Sequence, residues 1–140
     1  MKELFEHSPY ARHGQLPGSL ELAYLGDALY DLYVRARLVA RGGRVAALHR
    51  EATSIVCAHA QAEAFDRVEP MLTDDERTVS RRARNARQTP SKNADAAEYH
   101  CATALEALLG YLYVTGQFVR LTQIIERALD GAAKENPYGV

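Results

Sequence analysis

Between Leu20 and Ala40, apolar residues fall on several faces of a helical period rather than in one stripe, which predicts a helix buried on most sides. Pro17-Gly18 precedes this segment, Ser19 is placed to cap its first turn, and Gly42-Gly43 follows its expected end near Arg41. From about Val45 to Val68, the residues Leu48, Ala52, Ile55, Ala62 and Phe65 keep helical spacing, with a break expected near Val56 to Ala58 and an end at Pro70. Thr73-Asp74-Asp75-Glu76 has the form of a capping box, and the helix it starts should run to about Asn85 or Arg87. The stretch from Gln88 to Asn93, containing Thr89-Pro90-Ser91, reads as a loop. Tyr99, Ala102, Leu105, Leu109 and Leu112 predict a further helix from Asp95 to about Tyr113, with Gly116 beyond its end. Phe118, Leu121, Ile125 and Leu129 mark one face of a last helix from Gln117 to about Asp130. No alternating strand pattern, repeat or low-complexity tract interrupts this order, so the expected fold class is all-α. Residues 1–140 read as one domain, with a loose N-terminal segment to residue 18 and a frayed tail from residue 131.

Composition narrows the function classes. With 47% hydrophobic and 25% charged residues, the chain has the make-up of an ordinary globule and can fold without disulfides. Cys57 and Cys101 form neither a zinc pattern nor a disulfide framework, and both are expected to be small buried apolar residues. His49, His59 and His100 show no ligand spacing with one another. The first residues contain no apolar run long enough for a signal peptide, and no stretch approaches the roughly 20 apolar residues of a membrane helix. The expected location is the cytoplasm, with no membrane partner. Tyr24, Tyr30, Tyr33, Tyr111 and Tyr113 lie in the most apolar segments and are expected to pack inside.

The net charge of −1 hides an uneven distribution. Between Glu76 and Asp95 there is no acidic residue, while Arg77, Arg81, Arg82, Arg84, Arg87 and Lys92 all fall there. Setting those six charges aside leaves the rest of the chain at −7, so an acidic body carries a basic band. Such a run is either a solvated helix face or a surface for phosphates. Lys92-Asn93 could touch a nucleic acid, or Asn93 could cap the helix that follows.

Two carboxylates stand out against apolar neighbours: Asp27 in Tyr-Leu-Gly-Asp-Ala-Leu-Tyr and Glu106 in Thr-Ala-Leu-Glu-Ala-Leu-Leu-Gly. An ionised carboxylate in such surroundings is costly unless it is paired or binds a metal. Each acid could meet an arginine or lie on a narrow polar face. Gly26 beside Asp27 costs about 1 kcal/mol in a helix relative to alanine, which points to close approach of another helix or a ligand. Two crossing helices with one acid each would suit magnesium and phosphodiester hydrolysis.

Leu22-Ala23-Tyr24-Leu25-Gly26-Asp27-Ala28 resembles the signature helix of the ribonuclease III family, approximately Leu-Glu-Phe-Leu-Gly-Asp-Ala. Glu106-Ala107-Leu108-Leu109-Gly110 resembles that family's second acidic motif, Glu-Ala-Leu-Ile-Gly. Arg81 to Arg87, Pro90, Lys92-Asn93, Asp95 and Tyr99 are similar to its compact Mini-ribonuclease III branch, and the likeness extends from about Leu20 to Ile125. The chain departs from the longer members at Ala23 and Thr103, where they carry a glutamate and an aspartate; the compact branch shares both changes. Asp27 and Glu106 remain as the motif-matched acids, and Asp31, a turn beyond Asp27, lies on roughly the same face.

The resemblance implies a homodimeric helical bundle of the ribonuclease III catalytic-domain type, with the signature helices helping to form the interface. It implies that Asp27 and Glu106 hold magnesium, with manganese as a substitute, for in-line hydrolysis of double-stranded RNA that leaves a 5′ phosphate. Arg81, Arg82, Arg84, Asn85, Arg87, Lys92 and Asn93 would hold the duplex without a separate RNA-binding domain. The implied natural substrate is the large-subunit (23S) ribosomal RNA precursor. A non-catalytic RNA-binding homodimer is the alternative that Ala23 and Thr103 favour, and a helical protein-interaction module is a third.

Overall fold

In the computed structural model, residues 15–86 and 95–130 are described, and they form six α-helices with one short 3-10 turn. In chain order the helices are α1 (Ser19–Arg41), α2 (Val45–Val56), α3 (Ala58–Val68), α4 (Asp74–Arg84), α5 (Ala96–Val114) and α6 (Phe118–Ala128). The 3-10 turn Glu69–Met71 links α3 to α4, with Pro70 inside it. No strand occurs among the described residues, in agreement with the all-α expectation. The loop expected at 88–93, the segment before residue 15 and the tail from residue 131 lie outside the described residues, as do Arg87, Lys92 and Asn93.

The axis of the fold is α5. Every residue from Cys101 to Tyr113 except Glu106 and Tyr111 is buried, and Leu105, Leu108, Leu109 and Leu112 are sealed from water together with Tyr30, Val68 and Ile124. A helix apolar on all sides must be surrounded, and α1, α3, α4 and α6 supply the cover. α1 crosses α5 so closely that a Cβ at Gly26 would lie 1.6 Å from the Glu106 carbonyl oxygen, and one at Gly110 would lie 2.1 Å from that of Leu22. No side chain fits at either point. The helix-propensity cost of each glycine, about 1 kcal/mol, is offset by an approach of backbone to backbone that nothing larger permits.

α4 lies against this crossing through Ala83, which packs with Leu22, Ala23 and Ala107. Its start is fixed by the capping box read from the sequence: Thr73 Oγ1 accepts from the Glu76 amide at 3.2 Å, and the Thr73 amide donates to Glu76 Oε1 at 2.9 Å. Arg120 of α6 then donates to both Glu76 oxygens at 2.9 Å and to the Met71 carbonyl at 2.7 Å. At the other end of α6, Arg67 donates to the Ala128 carbonyl, one of the orphan acceptors of that helix C-terminus.

Four local expectations change. Ser19 is the first helical residue rather than the cap; Gly18 occupies the N-cap, and no side chain bonds to the first turn. α4 stops at Arg84, with Asn85 as its C-cap. Asp95 caps α5, its side chain accepting from the Glu98 amide at 3.1 Å. Cys101 is buried as expected but Cys57 is exposed, because it forms the extended corner (φ −66, ψ 159) shared by α2 and α3. At such a corner the helical face pattern no longer decides which side chain turns inward.

Candidate active site

The close crossing at Gly26 brings Asp27, the next residue on α1, beside Glu106 on α5. Both line a surface recess of about 310 Å³, together with Leu20, Ala23, Tyr24, Tyr99 and Thr103. Among the described residues, no lysine or arginine lines this recess. Burial pushes the Glu106 carboxyl up to about 9, and the Asp27 carboxylate, which accepts a hydrogen bond from protonated Glu106 and repels its ionised form, pushes the same way. Among the described residues, no arginine neutralises either acid of this pair in the recess. Asp31, considered from its place one turn further on, is instead held by Arg35 at 3.0 Å and does not line the recess.

The donor set is oxygen only. The polar residues that line the recess are Asp27, Glu106, Thr103, Tyr24 and Tyr99, with no histidine or cysteine among the described residues. No group of three or more histidine, cysteine, aspartate or glutamate residues suited to a metal occurs among the described residues. Hard oxygen ligands with unbalanced negative charge suit magnesium or manganese, which complete their shell with water and substrate oxygens. Ala23 and Thr103, the two departures from the longer family pattern, both border the recess, and the Thr103 hydroxyl donates to the Tyr99 carbonyl at 3.0 Å.

The basic band is split by the geometry of α4. Arg81, Arg82, Arg84 and Asn85 are all exposed. Arg77, Arg81 and Arg84 share one helix face and line a second recess, of about 250 Å³, over Phe65, Leu72 and Ser80. Arg84 is also tied down, with Nη2 at 3.0 Å from Cys101 Sγ and its guanidinium 5.8 Å from the Phe65 ring centre. Arg82 lies outside that recess. None of these arginines lines the acid recess, but α4 is adjacent to it, since Ala83 packs on Ala23.

Tyr24 departs from its expected packing role, and Tyr99, outside that expectation, joins it at the recess. Tyr24 is 85% exposed and Tyr99 is half-buried, and both border the acids. The signal was in the spacing: Tyr24 lies three residues before Asp27, and Tyr99 and Thr103 lie seven and three before Glu106, which puts each set on one helix face. Tyr30 and Tyr113 are buried as expected. The sequence also holds a second basic stretch that charge counting by one band passes over. Residues 32–50 carry five arginines and no acid, and Arg44 and Arg50 there are exposed and form no ion pair among the described residues.

An all-helical bundle in which two apolar helices cross at paired glycines, each presenting one carboxylate to a common recess, is the arrangement of a ribonuclease III domain. The family described as "Ribonuclease III domain" matches residues 20–117, and the chain belongs to the ribonuclease III family. Its relatives place it in the compact branch. Mini-ribonuclease 3 of Symbiobacterium thermophilum is 50% identical over 113 residues, which cover 79% of this chain and 87% of that protein. Mini-ribonuclease 3 of Enterococcus faecalis is 42% identical over 126 residues, covering 87% and 95%. A crystal structure of a Fusobacterium nucleatum protein matches with a TM-score of 0.77 at 28% identity, covering 84% of this chain and 92% of that one. The chain is thus an endoribonuclease of the ribonuclease III type, acting on double-stranded RNA. No helix among the described residues is long and apolar enough to cross a membrane.

Proposed function

We propose that Asp27 and Glu106 form the catalytic centre and hold a magnesium ion, with manganese as a substitute. The convergence of two carboxylates in one recess, without a cation among the described residues, carries this reading. When bound, the ion supplies charge stabilisation at the scissile phosphate and a nucleophile from water at neutral pH. The part of the chain is to hold both carboxylates at a fixed separation through the glycine crossing and to keep one wall of the recess apolar with Leu20 and Ala23. Hydrolysis forms a bond from the water oxygen to phosphorus and breaks the bond from phosphorus to O3′, leaving a 5′ phosphate and a 3′ hydroxyl.

Arg81, Arg82, Arg84 and Asn85, with Arg87, Lys92 and Asn93 beyond the described residues, hold the duplex backbone in this reading. Phosphate contacts supply most of such affinity, and A-form RNA is read through its backbone and 2′-hydroxyls. The working unit is a homodimer in the cytoplasm. Leu20, Tyr24, Leu32 and Val39 leave an exposed apolar stripe along α1, and a second copy packed there removes it from water. The natural substrate is the precursor of large-subunit ribosomal RNA, a reading that rests on the likeness to the Mini-ribonuclease III branch.

The test is cleavage of a perfect RNA duplex with magnesium and with chelator, by the wild type, Asp27→Asn and Glu106→Gln. Magnesium-dependent cutting should fall by about 10³-fold or more in both variants, as the stabilisation supplied with the metal is lost. Cutting that survives either substitution would remove these acids from the centre.

A further inference from the structure

Among the described residues, the acid recess offers a phosphate two carboxylates and no guanidinium or ammonium group. Charge that builds on its non-bridging oxygens during attack needs hydrogen-bond donors placed beforehand, and such donors are among the largest contributors to catalysis. Three residues that carry hydroxyls line the recess. The Thr103 hydroxyl already gives its hydrogen to the Tyr99 carbonyl at 3.0 Å. Tyr24 is 85% exposed on the apolar stripe of α1, so its ring is not held by the recess. Tyr99 differs from both. Its ring is half-buried, it sits on the same face of α5 as Glu106, and its hydroxyl has no hydrogen-bond partner among the described residues. The backbone beneath it is pinned twice, by the Asp95 carbonyl accepting from the Tyr99 amide at 2.9 Å and by the Thr103 hydroxyl.

We propose that the Tyr99 hydroxyl donates a hydrogen bond to a non-bridging oxygen of the scissile phosphate, which makes Tyr99 a third catalytic residue beside Asp27 and Glu106. The inference rests on the reading of the recess as the catalytic centre. A phenol is a more acidic donor than an aliphatic hydroxyl, so its bond strengthens as the oxygen gains charge. No proton leaves Tyr99 in this role, and the products are unchanged.

The experiment is Tyr99→Phe, which removes one oxygen and keeps the ring, with Glu106→Gln measured alongside. Duplex cleavage should lose about 10²-fold in kcat with KM within about threefold, the pattern for an interaction made in the transition state. The thermal midpoint and the RNA affinity measured without metal should equal those of the wild type. Wild-type kcat in Tyr99→Phe overturns the proposal. So does a loss of kcat that arrives with a lower thermal midpoint, which would make Tyr99 a packing residue, or a rise in KM alone, which would make it a duplex-binding one. If Glu106→Gln also cuts at the wild-type rate, the reading of the recess itself fails, and Tyr99 falls with it.

Discussion

Glu76 and Glu106 are both withdrawn from water, on helices that pack together, and their surroundings drive them in opposite directions. Glu76 accepts from two nitrogens of Arg120 and from the Thr73 amide, and the guanidinium foremost holds its carboxyl below the usual range. Glu106 has no cation beside it among the described residues; burial and then Asp27 push its carboxyl up to about 9. The first glutamate is satisfied by the chain itself and joins α4 to α6. The second has only another acid, Asp27, beside it among the described residues, at the close crossing of α1 and α5. A carboxylate that the fold completes is structural, and one that the fold leaves incomplete is available to a ligand.

The largest effect expected from breaking this contrast is on catalysis. Glu106→Gln should lose about 10³-fold or more in duplex cleavage, while Arg120→Ala, assayed well below its unfolding midpoint, should cut within about threefold of the wild-type rate per folded molecule. Single-turnover kinetics on both variants checks this. Stability should move the other way. Arg120→Ala leaves Glu76 buried without its cation and should cost roughly 3–5 kcal/mol in chemical denaturation, whereas Glu106→Gln should make the metal-free protein more stable.

Their pH dependences should also be opposed. The folded-state value for Glu106 lies above its unfolded one, so between about pH 4.5 and 9 the folded chain keeps a proton that the unfolded chain releases. Metal-free stability should therefore be greatest below that window and decline as pH rises through it, by on the order of 3 kcal/mol at pH 7. Glu106→Gln should abolish the decline. Glu76, with its value lowered, contributes stability above its unfolded value that is lost as pH falls through the folded one. Thermal midpoints from acid to mildly alkaline pH, in chelator, separate the two slopes. The smallest effect belongs to the exposed arginines. Arg81→Ala with Arg82→Ala should change stability by no more than about 0.5 kcal/mol for each site, yet lower the salt dependence of RNA binding by about one unit of slope for each phosphate that is no longer neutralised.

The same contrast explains what was legible in the sequence. Asp27 and Glu106 could be singled out because carboxylates in helices as apolar as α1 and α5 need an explanation, and Gly26 announced the close approach. The capping box was legible because its two bonds span three residues. The partner of Glu76 was not, since Arg120 lies 44 residues away and only the packing of α6 brings it near. Tyr99 fitted the apolar period of α5 as well as any core residue, and only the position of α1 decides that its face opens on the acids. Cys57 and Ser19 misled for a local reason: at helix ends the side-chain direction follows the backbone turn rather than the face pattern.

In this reading Asp27 and Glu106 together hold the divalent ion. Calorimetric titration of manganese or magnesium into the wild type, Asp27→Asn and Glu106→Gln, without RNA and at neutral pH, tests it most directly. The wild type should bind saturably, and each variant should lose at least about tenfold in affinity, since each removes one of two protein carboxylate ligands. Equal binding by all three proteins would contradict it.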